Sequence, residues 1–227
     1  MVALPSVAAS PDDYASPIGK IDAQVRCREG GRATTDSSRA DETSCLSEFR
    51  GTVTRSGDTL PFKLDDGKTK IVQSNKKACE ETPVTDCIVY GLVGFIRASR
   101  QFVVAMSLYE SQYVELVSRR TGTVTKLEGY PHVSPNGKLF VTVAASDAWE
   151  IQSPIAIYAN TDPPKLLWRF PEPREYEQYS FDGWDGENRI TLHTISNPQI
   201  ETDVRRTSDG WVLRRPNGKT SSGTSSD

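Results

Sequence analysis

The chain is poor in groups that do chemistry near neutral pH. Its only histidines are His132 and His193. There is no G-x-S-x-G nucleophile elbow and no H-E-x-x-H pair, and Gly30-Gly31-Arg32 does not follow a convincing strand and is not read as a phosphate loop. No apolar run approaches the roughly eighteen residues that a membrane-crossing helix needs. Charge of one sign is also missing, with 27 Lys and Arg against 30 Asp and Glu, a net charge of -3 and a pI near 5.6. That balance removes any general attraction to nucleic acid or an anionic membrane. Arg28, Arg32, Arg39, Arg50 and Arg55 give no basic stripe, because Glu29, Asp36, Asp41, Glu42 and Glu48 offset them. No cofactor is expected, and no nucleic-acid partner.

Cysteine is scarce but patterned. Cys27 lies near Cys45, and Cys79 near Cys87, without the C-x₂₋₄-C spacing of a zinc knuckle. Disulfides are the better reading and zinc the alternative. Four cysteines allow three connectivities, of which the sequential one is the simplest. Short loops closed in this way stabilise by about 2–3 kcal/mol each in a chain-entropy estimate. Disulfides imply an oxidising compartment, so a periplasmic or extracellular location is expected; free thiols in the cytosol are the alternative. Met1-Val2-Ala3-Leu4-Pro5 lacks the basic region and apolar core of a signal peptide, and Val7-Ala8-Ala9-Ser10 reads as the remnant of a cleavage region.

What is present is extended structure. Hydrophobic residues make up 36% of the chain and the mean hydropathy is -0.50, which suits thin sheets with wet edges. Residues 1–20, with Pro5, Pro11 and Pro17, read as a flexible arm, residues 21–215 as one β-rich domain, and residues 216–227 as a disordered tail. Arg28–Ser44 reads as an irregular loop pinned by its cysteines. Phe49–Thr54 and Leu60–Leu64 alternate apolar and polar residues around Ser56-Gly57-Asp58, which predicts a hairpin, and Lys70–Gln73 predicts a further strand after Asp66-Gly67. Ile88–Ile96 is the strongest apolar stretch, and Gly91 and Gly94 inside it favour a strand or bulge over a helix. Phe102–Leu116 approximates helical spacing, but its β-branched and aromatic content predicts strands.

The second half echoes itself three times. Phe102–Tyr109, Tyr113–Arg119 and Thr123–Leu127 form the first pass. Leu139–Ala144, Pro154–Tyr158 and Lys165–Phe170 form the second; Arg189–Thr194, Ile200–Arg205 and Trp211–Arg214 form the third. Each unit has too little apolar surface to bury alone and must stack on its neighbours. Ser134-Pro135-Asn136-Gly137-Lys138-Leu139-Phe140 resembles the turn that opens a strand in WD40-like, TolB-type β-propeller blades. Phe181-Asp182-Gly183-Trp184-Asp185-Gly186-Glu187-Asn188-Arg189-Ile190 is similar to the same turn one blade later. The resemblance covers residues 88–215 and implies an all-β fold of stacked antiparallel sheets, a small or incomplete propeller-like array. A twisted β-sandwich is the alternative.

The candidate sites are few. Asp182, Asp185, Glu187 and Asn188 crowd oxygen atoms into a glycine-rich turn of the kind calcium accepts, but a solvated turn has the same composition and no metal site is expected. Three of the four tryptophans fall between residues 149 and 184. There, Trp149, Tyr176 and Trp184, in predicted loops, are candidates to anchor a protein partner, with Glu150 and Glu175 shaping a polar rim. Trp168 and Phe170 read as strand core. The expected function is therefore an exported, non-enzymatic binding protein. A hydrolase acting on glycan or peptide through His132 or a carboxylate pair is the alternative, and a His–Asp contact in one recess would favour it.

Overall fold

The computed structural model describes residues 22, 24–29, 32–33, 42–81, 86–108, 111–144, 155–170, 178–194, 197–215, 218 and 220–223. Two short strands, β1 (Arg28–Glu29) and β2 (Arg32–Ala33), precede a helix α1 (Glu42–Glu48). A hairpin follows, β3 (Thr59–Lys63) with β4 (Thr69–Gln73). The first large sheet is β5 (Val89–Ile96), β6 (Gln101–Ser107), β7 (Gln112–Ser118) and β8 (Val124–Leu127). The second is β9 (Tyr130–Val133), β10 (Leu139–Val143), β11 (Ile155–Ala159) and β12 (Lys165–Arg169). The third is β13 (Tyr179–Asp185), β14 (Arg189–Thr194), β15 (Asn197–Thr207), β16 (Gly210–Arg214) and β17 (Thr220–Ser222). Every sheet is an antiparallel meander in which chain neighbours pair, and none closes into a barrel or propeller.

The threefold echo corresponds to β6–β7–β8, β10–β11–β12 and β14–β15–β16. Each sheet has one further strand ahead of the echo, and β5 is the apolar Ile88–Ile96 stretch. Three apolar cores stack the sheets. The first sheet is buried on both faces. Val103, Ala105, Val114 and Leu116 meet Tyr130, Val133 and Phe140 of the second sheet. Leu92, Phe95, Phe102, Val104 and Val117 meet Phe49, Leu60, Phe62 and Val72 of the helix and hairpin region. This double burial makes every residue of β6 buried, and it is why the segment loses its two-residue alternation and imitates a helix. Phe49, Phe62, Phe95 and Phe102 pack ring on ring at centroid distances of 4.8–5.2 Å. Each fully buried phenylalanine stabilises by about 2–3 kcal/mol.

The second sheet is likewise covered twice. Val141, Val143, Ile155, Ile157 and Trp168 turn to the third sheet, where Tyr179, Ile190, Leu192, Val204, Trp211 and Leu213 await them. The outer face of the third sheet is ionic instead. Arg189 reaches Asp185, Glu201 and Asp203 at 3.1–3.3 Å, and Arg205 holds Asp203 at 2.8 Å. Burial pushes the Asp203 carboxyl up, but the Arg205 hydrogen bond and the charges of Arg205, Arg189 and Arg214 outweigh it and hold the group below its usual range. A wet, charged face needs no further sheet to cover it.

Several expectations change. Arg28–Ser44 is not wholly irregular, since α1 begins at Glu42. Its first residue is the reason: Glu42 Oε1 accepts from Leu92 N at 2.8 Å and pairs with Arg55, which also donates to the Tyr90 carbonyl. Of Phe49–Thr54, the first residues leave α1 as a turn, while Thr52–Thr54 pairs antiparallel with β3 through the Val53–Phe62 bridge, with Lys63 N donating to the Thr52 carbonyl at 2.7 Å. The expected reversal at Ser56-Gly57-Asp58 forms, closed by the Ser56–Thr59 bridge, and β4 then follows Asp66-Gly67 and pairs with β3 on its other edge. Both disulfides are formed with sequential connectivity, Cys27–Cys45 and Cys79–Cys87. Thr220–Ser222, within the stretch the sequence reads as a tail, pairs with β16.

Candidate binding surface

Two ends of the second sheet differ in construction. At one end the Ser134–Lys138 turn is locked by its own side chains. Ser134 Oγ accepts from Leu139 N at 3.1 Å and donates to Asn136 Oδ1, which accepts from Lys138 N at 2.8 Å. Gly137 takes a φ of +72°, and the Asn160 side chain donates to its carbonyl at 2.8 Å. Neighbouring Glu187 Oε1 accepts from Asn136 N at 2.8 Å, which ties this turn to the Gly186–Asn188 turn of the third sheet.

At the other end, register brings Tyr130 opposite Val143 and Val143 opposite Ile155, with Ala156 opposite Arg169. The connection from β10 to β11, residues 144–154, and the connection from β12 to β13, residues 170–178, therefore both leave this end. Both are longer than an ordinary hairpin loop of about 2–5 residues. Trp149 and Glu150 belong to the first connection, Glu175 and Tyr176 to the second, and all four lie outside the described residues.

Trp184 is elsewhere. It lies in strand β13, not in a loop, near the Gly186–Asn188 turn and so at the opposite end of that strand from residues 170–178. Its half-buried indole donates to the His132 carbonyl at 3.0 Å and packs edge-on against Trp211 at 6.3 Å. The turn expected within Phe181–Ile190 forms at Gly186–Asn188, where Gly186 has a φ of +63°, and opens β14; Asp182-Gly183 lies in the strand before it. The register of β13 shifts there, so Asp182 is the extra residue of a bulge and Phe181 and Trp184 face the same core. Alternation along the sequence misses this, because a bulge changes which residues share a face.

The bulge presents the Asp182 carboxylate to His193, with Oδ1 2.5 Å from Nδ1 and both side chains about one-third exposed. Ser180 sits directly across from His193 in the β13–β14 register. The pair lies on the outer, charged face of the third sheet. His132 is different: it stacks on Phe181 at 3.9 Å, and burial lowers its pKa to about 4, so the ring is neutral at physiological pH. Of the acidic turn residues, Asp185 pairs with Arg189 and Glu187 holds the Asn136 amide. Among the described residues, no three His, Cys, Asp or Glu side chains converge on a metal position. No helix there is long and apolar enough to cross a membrane. No protein-family model, curated protein or solved structure matches the chain.

Proposed function

We propose that the protein is an exported, disulfide-bonded β-array that binds another protein through the long connections at one end of its second sheet. Trp149 and Tyr176 supply rigid apolar area to the contact, and Glu150 and Glu175 its polar rim. The two disulfides support a periplasmic or extracellular setting. The observation that carries the reading is the asymmetry of the second sheet. One end is stitched into tight turns, while both long aromatic-bearing connections spring from the other. Loops held on a rigid scaffold are where binding residues concentrate. Trp184, committed to the His132 carbonyl and Trp211, serves the scaffold in this reading and not the contact. Successive meander sheets stacked through shared cores are also how propeller blades are built, and this supports describing the fold as an incomplete propeller-like array.

The test is affinity capture from an envelope or secretory extract with the wild-type chain and a Trp149→Ala, Tyr176→Ala variant. A protein retained by the first and lost from the second, with the far-UV circular dichroism unchanged, supports the proposal. Capture that ignores both substitutions refutes it. A hydrolase is the second reading, favoured by one observation, the Asp182–His193 pair with Ser180 across from it. Turnover of a glycan or peptide ester abolished by His193→Ala would favour it.

A further inference from the structure

The strand β17 is an unusual edge. It has only three residues, Thr220-Ser221-Ser222, none of them apolar, and pairs antiparallel with β16 through Ser222–Val212, Ser221–Leu213 and Thr220–Arg214. Just beyond it, Gly223 lies directly on the edge of Trp168 in the neighbouring sheet. A Cβ at residue 223 would collide with Trp168 Nε1 and the Arg169 carbonyl oxygen, so only glycine fits. The Trp168 side chain is 2% exposed, and its indole N–H is buried without an acceptor among the described residues. A buried donor with no acceptor is rare in a folded protein and calls for an explanation. The occupant now seated there brings backbone pairing but leaves that donor unused.

Charge points the same way. Arg215 borders the strand and its Nη1 donates to Ser221 Oγ at 3.0 Å. A carboxylate at the Ser221 position would turn this into a charge-assisted hydrogen bond.

We propose that the β16 edge, with Trp168 beside it, is a docking site for an extended acidic segment of another protein, which adds as a strand and displaces β17. The segment runs antiparallel to β16, carries Asp or Glu where Ser221 now sits and glycine two residues later, and places a carbonyl on the Trp168 indole. Strand addition of this kind takes its affinity from main-chain pairing and its selectivity from the side chains that flank it. Until a partner arrives, the short tail strand covers the edge against unwanted pairing.

The site adjoins the start of the 170–178 connection but uses none of Trp149, Glu150, Glu175 and Tyr176, so substitutions at those residues and at Gly223 test the two proposals separately. The test uses a fluorescein-labelled peptide of residues 218–227 carrying Glu at the position of Ser221. It is titrated against the full chain, a chain ending at residue 218, and a full-length Gly223→Glu variant whose strand cannot seat. Expected is binding to the shortened chain and to Gly223→Glu at least tenfold tighter than to the full chain, weakened several-fold by Trp168→Phe. The Gly223→Glu variant keeps the test open if truncation impairs folding. Equal affinity for all three forms overturns the proposal, as does no binding to either opened form. Dimers of the full chain formed by exchange of β17, with no peptide binding, would also overturn it and assign the edge to a second copy.

Discussion

Acid should weaken this fold through one imidazole. His132 sits on β9 with its ring stacked on Phe181, and burial lowers its pKa from 6.5 to about 4. Between those values the unfolded chain holds a proton that the folded chain refuses. Stability is therefore fully present above pH 6.5 and is lost as pH falls toward 4. Each pH unit between the two values is worth about 1.36 kcal/mol, so the whole effect is about 3 kcal/mol. Integrating between pH 7.5 and pH 4.5 leaves a loss of about 2–3 kcal/mol from this group alone. Other groups differ in sign or window. Asp22 and Glu115, both raised by burial, contribute stability that is lost as pH rises through their folded values. Asp203, held down by its arginines, loses its contribution only below its ordinary value of 3.8. A His132→Phe variant keeps the stack and removes the proton, so the difference between the two proteins isolates the effect. Urea unfolding at pH 7.5, 5.5 and 4.5 measures it. The stability gap between variant and wild type should move by about 2–3 kcal/mol in the variant's favour across that range. Parallel pH profiles would refute the reasoning.

Other predictions follow from single contacts. Replacing Cys27 and Cys45 together by alanine opens a loop of 18 residues and should lower stability by about 3 kcal/mol, read by chemical denaturation. Gly94→Ala puts a Cβ 2.6 Å from the Val25 carbonyl oxygen and should push the Val25 segment off β5, costing about 1–3 kcal/mol in a thermal melt. Unchanged melting would mean that this segment does not dock. Trp184→Phe keeps the contact with Trp211 but leaves the His132 carbonyl without its donor. Its expected cost is about 1 kcal/mol, with capture of a partner unaffected; loss of capture would return Trp184 to the binding surface.

Much of the fold was legible because turns and β-branched runs are local signals. The nine strands of the threefold echo all form, and the Ser134–Lys138 turn behaves as its residue types dictate. What escaped was set by tertiary context. β9 carries Pro131 and His132, a composition unlike a strand, and is tolerated because it is the edge of its sheet, where a missing N–H costs little. β13 is disguised by Asp182-Gly183, which reads as a turn and is a bulge. The helix α1 has seven residues, too few to be stable on propensity, and is held by Cys45 and by the Glu42 contacts to Arg55 and Leu92. Site residues were less legible still. Trp184 looked free in the sequence because its acceptor, the His132 carbonyl, lies in a different sheet, and nothing local announces a bond across 52 residues.

Native-state amide hydrogen exchange tests the central idea most directly, that no sheet here shelters its apolar face alone. β6, β7, β10 and β11, covered on both faces, should exchange only through one shared global opening, while β4 and β17 exchange faster. Three sheets opening separately, each with its own stability, would contradict the account.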